Sequence, residues 1–192
     1  MENYFEMLGL ASRPWMEPED IKKAFLRAAA LCHPDAKRNG ENGQFTQINL
    51  AYTTLREPAA RLRYLLAHNR PEEGDPAAAS PERIPARWVD LFMEIAAQQQ
   101  QVTSFLKKKE LARSALAVAL LSGESAEMRR ACGVLAARLD EMWADCLERL
   151  REWDRAWPGD AAVAGLEVLQ REFNYLGRWR EQLREALVLL TV

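Results

Sequence analysis

"LCHPDAKRNG", residues 31–40, lies between two amphipathic segments and holds His33, Pro34 and Asp35 in an order that no turn requires. Turn chemistry is already supplied just downstream by Asn39, Gly40, Asn42 and Gly43. One explanation of the triplet is purely local. Asp35 would cap a loop, and His33 would place a cation at a helix C-terminus. The other is a stiff recognition loop. Pro34 fixes a backbone angle, and Asp35 then offers a carboxylate that a guanidinium can grip with two hydrogen bonds.

The flanks are helical by spacing. Upstream, "PEDIKKAFLRAAALC" begins with Pro18, Glu19 and Asp20, which suit a helix N-terminus. Its apolar stripe is Ile21, Phe25, Ala28 and Cys32, and its opposite face carries Lys23 and Arg27 with Lys22 on the flank. Downstream, "QFTQINLAYTTLR" spaces Phe45, Ile48, Tyr52 and Leu55 as a third helix, and "PAARLRYLLAHN" adds Leu62, Leu65 and Leu66 after Pro58. A short first helix, "NYFEMLGL", is ended by Gly9.

Four of the nine prolines fall in "NRPEEGDPAAASPERIP", residues 69–85, which marks a linker. Beyond it come three long helical patterns. The first is Trp88, Leu91, Phe92, Ile95, Val102, Phe105 and Leu106, running on toward Leu121. "SGES" around Gly123 is expected to break it, with Ser125 capping the next helix. The second pattern runs from Met128 to Trp157. After "PGD" around Gly159, the third runs from Val163 to Leu190. The glutamines at 98–101 read as surface, with Gln99 near the seam. Short loops between such helices favour an antiparallel bundle. The fold class is therefore all-α, with residues 1–68 as one domain, 69–85 as linker and 86–192 as a three-helix bundle.

The 192 residues carry a formal net charge of −2, so no bulk field favours nucleic acid or membrane. No apolar run approaches the roughly 20 residues of a membrane span, and the acidic start does not suit a signal peptide. A cytoplasmic protein is expected. Three cysteines and two histidines make a metal site or disulfide framework improbable. There is no nucleotide loop or nucleophile–base pair, so neither a catalytic site nor a bound cofactor is expected.

Taken together, the helix pair, its basic outer face and the His33–Pro34–Asp35 loop resemble the J-domain of DnaJ-type co-chaperones. The resemblance implies that Lys22, Lys23, Arg27, His33, Pro34 and Asp35 dock on a DnaK-type ATPase and stimulate its ATP hydrolysis. One departure is Ala36, where the family usually has Lys; Lys37 and Arg38 follow. "INLAYTTLREPAARLRYLL", residues 48–66, with Leu55, Pro58, Arg61, Tyr64, Leu65 and Leu66, looks like the HscB branch of that family. That branch implies an HscA-like ATPase and an IscU-like iron–sulfur scaffold as partners. It places the scaffold against Phe92, Met93 and Ala96 on the first bundle helix and Tyr175 on the last. Phe92, Met93 and Tyr175 are equally consistent with bundle core by spacing. The acidic neighbours usual in that branch are replaced by Ala97, Gln100 and Ser104. That loss keeps open a co-chaperone with a different client.

Overall fold

The structure, a computed structural model, describes residues 3–31, 42–69 and 86–191. Seven α-helices follow in order: α1 Tyr4–Met7, α2 Pro18–Leu31, α3 Asn42–Arg56, α4 Pro58–Asn69, α5 Val89–Leu111, α6 Ala115–Ala156 and α7 Asp160–Leu189. A single 3₁₀ turn, Ala86–Trp88, leads into α5. There is no strand among the described residues.

Local chemistry sets the helix ends. Asn3 caps α1, its Oδ1 accepting from the Phe5 amide at 3.0 Å. Gly9, at φ +65°, closes α1 in the left-handed region that glycine adopts without strain. Pro58 opens α4 where its missing N–H costs nothing.

One expectation fails in α6. The break was expected at Gly123, and the first bundle helix was expected to reach toward Leu121. Instead α5 stops at Leu111, Ala112 turns extended at φ −72° and ψ 109°, and α6 runs unbroken through Gly123. An isolated helical glycine costs only about 1 kcal/mol, and the packing of a 42-residue helix outweighs that. Ser125 caps nothing at that point. Its Oγ donates to the Leu190 carbonyl at 2.9 Å.

The chain forms two compact units, Met1–Glu82 with Cys146–Phe173, and Arg83–Asp145 with Asn174–Val192. α6 and α7 thus each contribute to both, whereas the prolines at 69–85 divide the chain by connectivity; residues 70–85 lie outside the described residues. In the first unit Ile21 and Ala24 of α2 bury against Ile48, Ala51 and Leu55 of α3, with Phe5, Leu8 and Leu65 closing the core. Phe25 stacks on Tyr52 at 4.3 Å, and Tyr4 on Tyr64 at 4.4 Å. The same unit holds a helical hairpin, Leu150, Val163, Leu166, Leu169 and Phe173 at its centre. Gly165 lets the Trp153 indole lie directly on the α7 backbone, where a Cβ would overlap the ring. In the second unit Trp88, Leu91, Ile95, Val102 and Phe105 are buried, as are Cys132, Leu135, Leu139, Leu176, Trp179 and Leu183, and Trp88 meets Trp179 edge-on. Gln98, rather than Gln99, is the glutamine on the seam, at 9% exposure.

Candidate functional site

The α2 surface is built by the helix period. Burial of Ile21 and Ala24 turns Lys22, Lys23 and Arg27 outward, and all three are exposed. Lys23 and Arg27 stand one turn apart, about 6 Å along the axis. Lys23 makes a loose pair with Asp20 at 3.7 Å, an exposed pair of little energetic weight. The surface therefore stays cationic. Leu26, 56% exposed, and Leu31, 74% exposed, add apolar area to the outer side of α2. The sequence signal for Leu26 was its absence from the apolar stripe. His33, Pro34 and Asp35, which follow directly on α2, lie outside the described residues.

The loop between α1 and α2 is pinned from two sides. Arg61, 2% exposed, donates through Nε to the Pro14 carbonyl at 2.9 Å and through Nη1 to the Leu55 carbonyl at 2.7 Å. Burial lowers its pKa to about 10, so the guanidinium stays charged at neutral pH. From the hairpin, Asp154 takes Arg13 through both carboxylate oxygens and accepts the Trp15 amide at 3.0 Å. That contact raises the Arg13 pKa above its ordinary value. The Arg151 guanidinium covers the Trp15 ring, 4.2 Å from its centroid. Nothing in the sequence signalled the Arg13–Asp154 pair, whose members are 141 residues apart.

On α5, Met93 is 61% exposed and Phe92 36%, and Ala96 is also exposed. Tyr175, at 8% exposure, is buried instead. It packs on Trp179 at 5.8 Å, and Trp179 in turn meets Phe92 at 6.0 Å. Phe92 and Tyr175 thus share Trp179 as a neighbour, with Phe92, Met93 and Ala96 exposed on α5 and Tyr175 buried. Beside them, Ala97, Gln100, Gln101, Ser104, Phe105, Lys108, Glu124 and Met128 line an open groove of about 560 Å³. Lys108 and Glu124 pair across it at 2.6 Å, and Glu94 and Arg138 pair further along the same two helices. Burial pushes the Cys132 thiol up, which makes it a packing residue rather than a nucleophile. No cluster suited to a metal ion occurs among the described residues.

Residues 3–64 match the DnaJ domain family. A "Chaperone protein DnaJ" from Carboxydothermus hydrogenoformans is 41% identical over 64 residues, and one from Trichormus variabilis 43% over 63. Each alignment covers 32% of this chain and 16% of the relative, so the likeness is confined to one domain of those longer proteins. Among solved structures, chaperone HscB from Vibrio cholerae superposes with a TM-score of 0.61 at 18% identity, covering 96% of both chains. The human co-chaperone HscB gives 0.55 at 16% identity, over 96% of this chain and 82% of its own. Residues 3–64 thus match the DnaJ domain, and the chain shares the fold of the HscB co-chaperones.

Proposed function

We propose that the protein is a non-enzymatic co-chaperone that stimulates ATP hydrolysis by a DnaK- or HscA-type partner and presents an IscU-like iron–sulfur scaffold to it. The observation that carries the reading is the exposed cationic face of α2, with Lys22, Lys23 and Arg27, leading straight into His33–Pro34–Asp35 within a DnaJ domain. The cations steer an acidic partner surface onto α2. Pro34 restricts its own backbone angle beside Asp35, whose carboxylate suits a partner arginine. The scaffold rests on Phe92, Met93 and Ala96, with buried Tyr175 backing Phe92 through Trp179.

A second reading keeps the DnaJ domain and changes the client. Its motive is that Ala97, Gln100 and Ser104 stand beside the apolar patch where that branch usually has acids. Salt dependence bears on the choice, because a neutral patch gives binding that varies little with ionic strength.

The test is steady-state ATP turnover by the partner chaperone with native protein, His33→Gln and Asp35→Asn. Both variants should lose stimulation with unchanged circular dichroism, since a loop substitution costs within about 0.5 kcal/mol of stability. Full stimulation by either variant refutes the proposal.

A further inference from the structure

α7 stops short of the corner between α5 and α6. Ser125 Oγ donates to the Leu190 carbonyl at 2.9 Å, while α6 begins ten residues earlier at Ala115. Ten residues of helix rise about 15 Å. Among the described residues this stretch is a two-helix overhang beyond the last turn of α7.

The composition of the overhang does not suit two helices in water. "ALAVALL", residues 115–121, has no polar side chain on any side. Leu121 is buried, so one face of this stretch is covered, while Leu116 is left in water. Leu116 is 72% exposed, and Leu111, on the other side of the corner, is 76% exposed.

Charge surrounds this apolar point. Residues 107–116 contain four cations, Lys107, Lys108, Lys109 and Arg113, against one acid, Glu110; Glu124 across the corner takes Lys108 and leaves the other three cations. The chain's total of −2 conceals that local excess. The order along the corner is informative. Lys107 and Lys108 precede Leu111 by about one turn, some 5 Å back along α5. Leucines at the end with cations a turn behind match the depth order of a lipid interface, where the acyl boundary lies below the phosphates by about 5–10 Å.

We propose that the α5–α6 corner docks on an anionic lipid surface, with Leu111 and Leu116 entering the acyl boundary and Lys107, Lys109 and Arg113 meeting the phosphates. The corner lies on the surface rather than spanning it, since no helix is long and apolar enough to cross a membrane. A second copy fits less well, because corner-to-corner contact would set like cations against each other. The inference is independent of the co-chaperone reading.

The test is flotation of the intact protein with vesicles of phosphatidylcholine containing about one third phosphatidylglycerol, against phosphatidylcholine alone. Binding is expected to the anionic vesicles only, and to weaken with salt. Lys107→Gln and Arg113→Gln should each weaken it about fivefold. Leu111→Ser with Leu116→Ser should weaken it roughly tenfold or more, with an unchanged thermal melt showing that the fold survives. Absence of binding, equal binding to neutral vesicles, or full binding by the leucine variant overturns the proposal. So does binding to polyglutamate without binding to vesicles, which would assign the corner to an acidic protein. A concentration-dependent dimer lost in the leucine variant, again without vesicle binding, would assign it to a second copy.

Discussion

Arg61 shows how one side chain can hold a domain surface in place. Its guanidinium is buried and serves two carbonyls from different segments, Pro14 and Leu55. Replacing it with Met preserves bulk but leaves both carbonyls without a donor. Arg61→Met should cost about 2–4 kcal/mol of stability, read from urea unfolding midpoints at constant m. A cost below about 0.5 kcal/mol would mean that water replaces the guanidinium. Two glycines give a contrasting pair. A Cβ at Gly165 would overlap the Trp153 ring, so Gly165→Ala should destabilise by about 1–3 kcal/mol. Gly123 sits mid-helix with nothing within 4 Å of a built Cβ, so Gly123→Ala should gain about 0.5–1 kcal/mol. Arg61 and Tyr64 were legible as members of a family pattern. Their work was not, because a carbonyl clamp and a ring stack depend on which segments meet across the fold.

Helix periodicity carried most of the architecture. Along the α6 stripe from Met128 to Trp157 and the α7 stripe from Val163 to Leu190, Cys132, Leu135, Leu139, Cys146 and Leu150 with Leu166, Leu169, Phe173, Leu176 and Leu183 are buried, whereas Met128, Met142, Trp153, Trp157 and Leu187 are half-buried. Period alone could not locate the α5–α6 corner. "SGES" looks like a break because glycine and serine favour turns, yet the chain turns at Ala112, a residue with no turn preference. Phe45 likewise fits the α3 stripe by spacing but is 41% exposed, since spacing cannot tell where a partner helix ends. The Arg13–Asp154 contact ties the α1–α2 loop to the α6–α7 hairpin. Asp154 is almost fully buried and Arg13 half exposed, so the carboxylate dominates the energetics. Arg13→Ala leaves it with the Trp15 amide and should cost about 1–3 kcal/mol. A double-mutant cycle with Asp154→Ala should return a coupling of about 1 kcal/mol or more, whereas zero coupling would reduce the pair to an incidental surface contact.

At the scale of the molecule, sequence and contacts organise the chain differently. Proline density reads covalent connectivity and marks 69–85 as the place to cut. Residues 146–173 belong to one compact unit with the N-terminal helices, which no local composition reveals. Limited proteolysis separates the two descriptions. Cleavage should begin within 69–85. If the hairpin packs as described, the two fragments should still co-elute from a sizing column and separate only in denaturant. Independent elution would make the hairpin contacts too weak to hold the unit together. Of the functional surfaces, the DnaJ likeness was legible because a short motif at a fixed spacing is a local signal in the sequence. The division of the α5–α7 patch into exposed Phe92, Met93 and Ala96 and buried Tyr175 was not, since helix spacing leaves a flank residue free to face either way.

The central claim is that one chain couples an ATPase-activating loop to a client-holding patch. Its most direct test is ATP turnover by a DnaK-type chaperone, measured with and without an IscU-like scaffold, for native protein, His33→Gln and Met93→Glu. Met93 is 61% exposed, so its substitution should leave the fold intact. The account predicts that scaffold and native protein together raise turnover beyond the product of their separate effects. His33→Gln should abolish stimulation altogether, while Met93→Glu keeps the basal stimulation and loses the scaffold's increment. Stimulation by His33→Gln equal to that of the native protein would contradict the account.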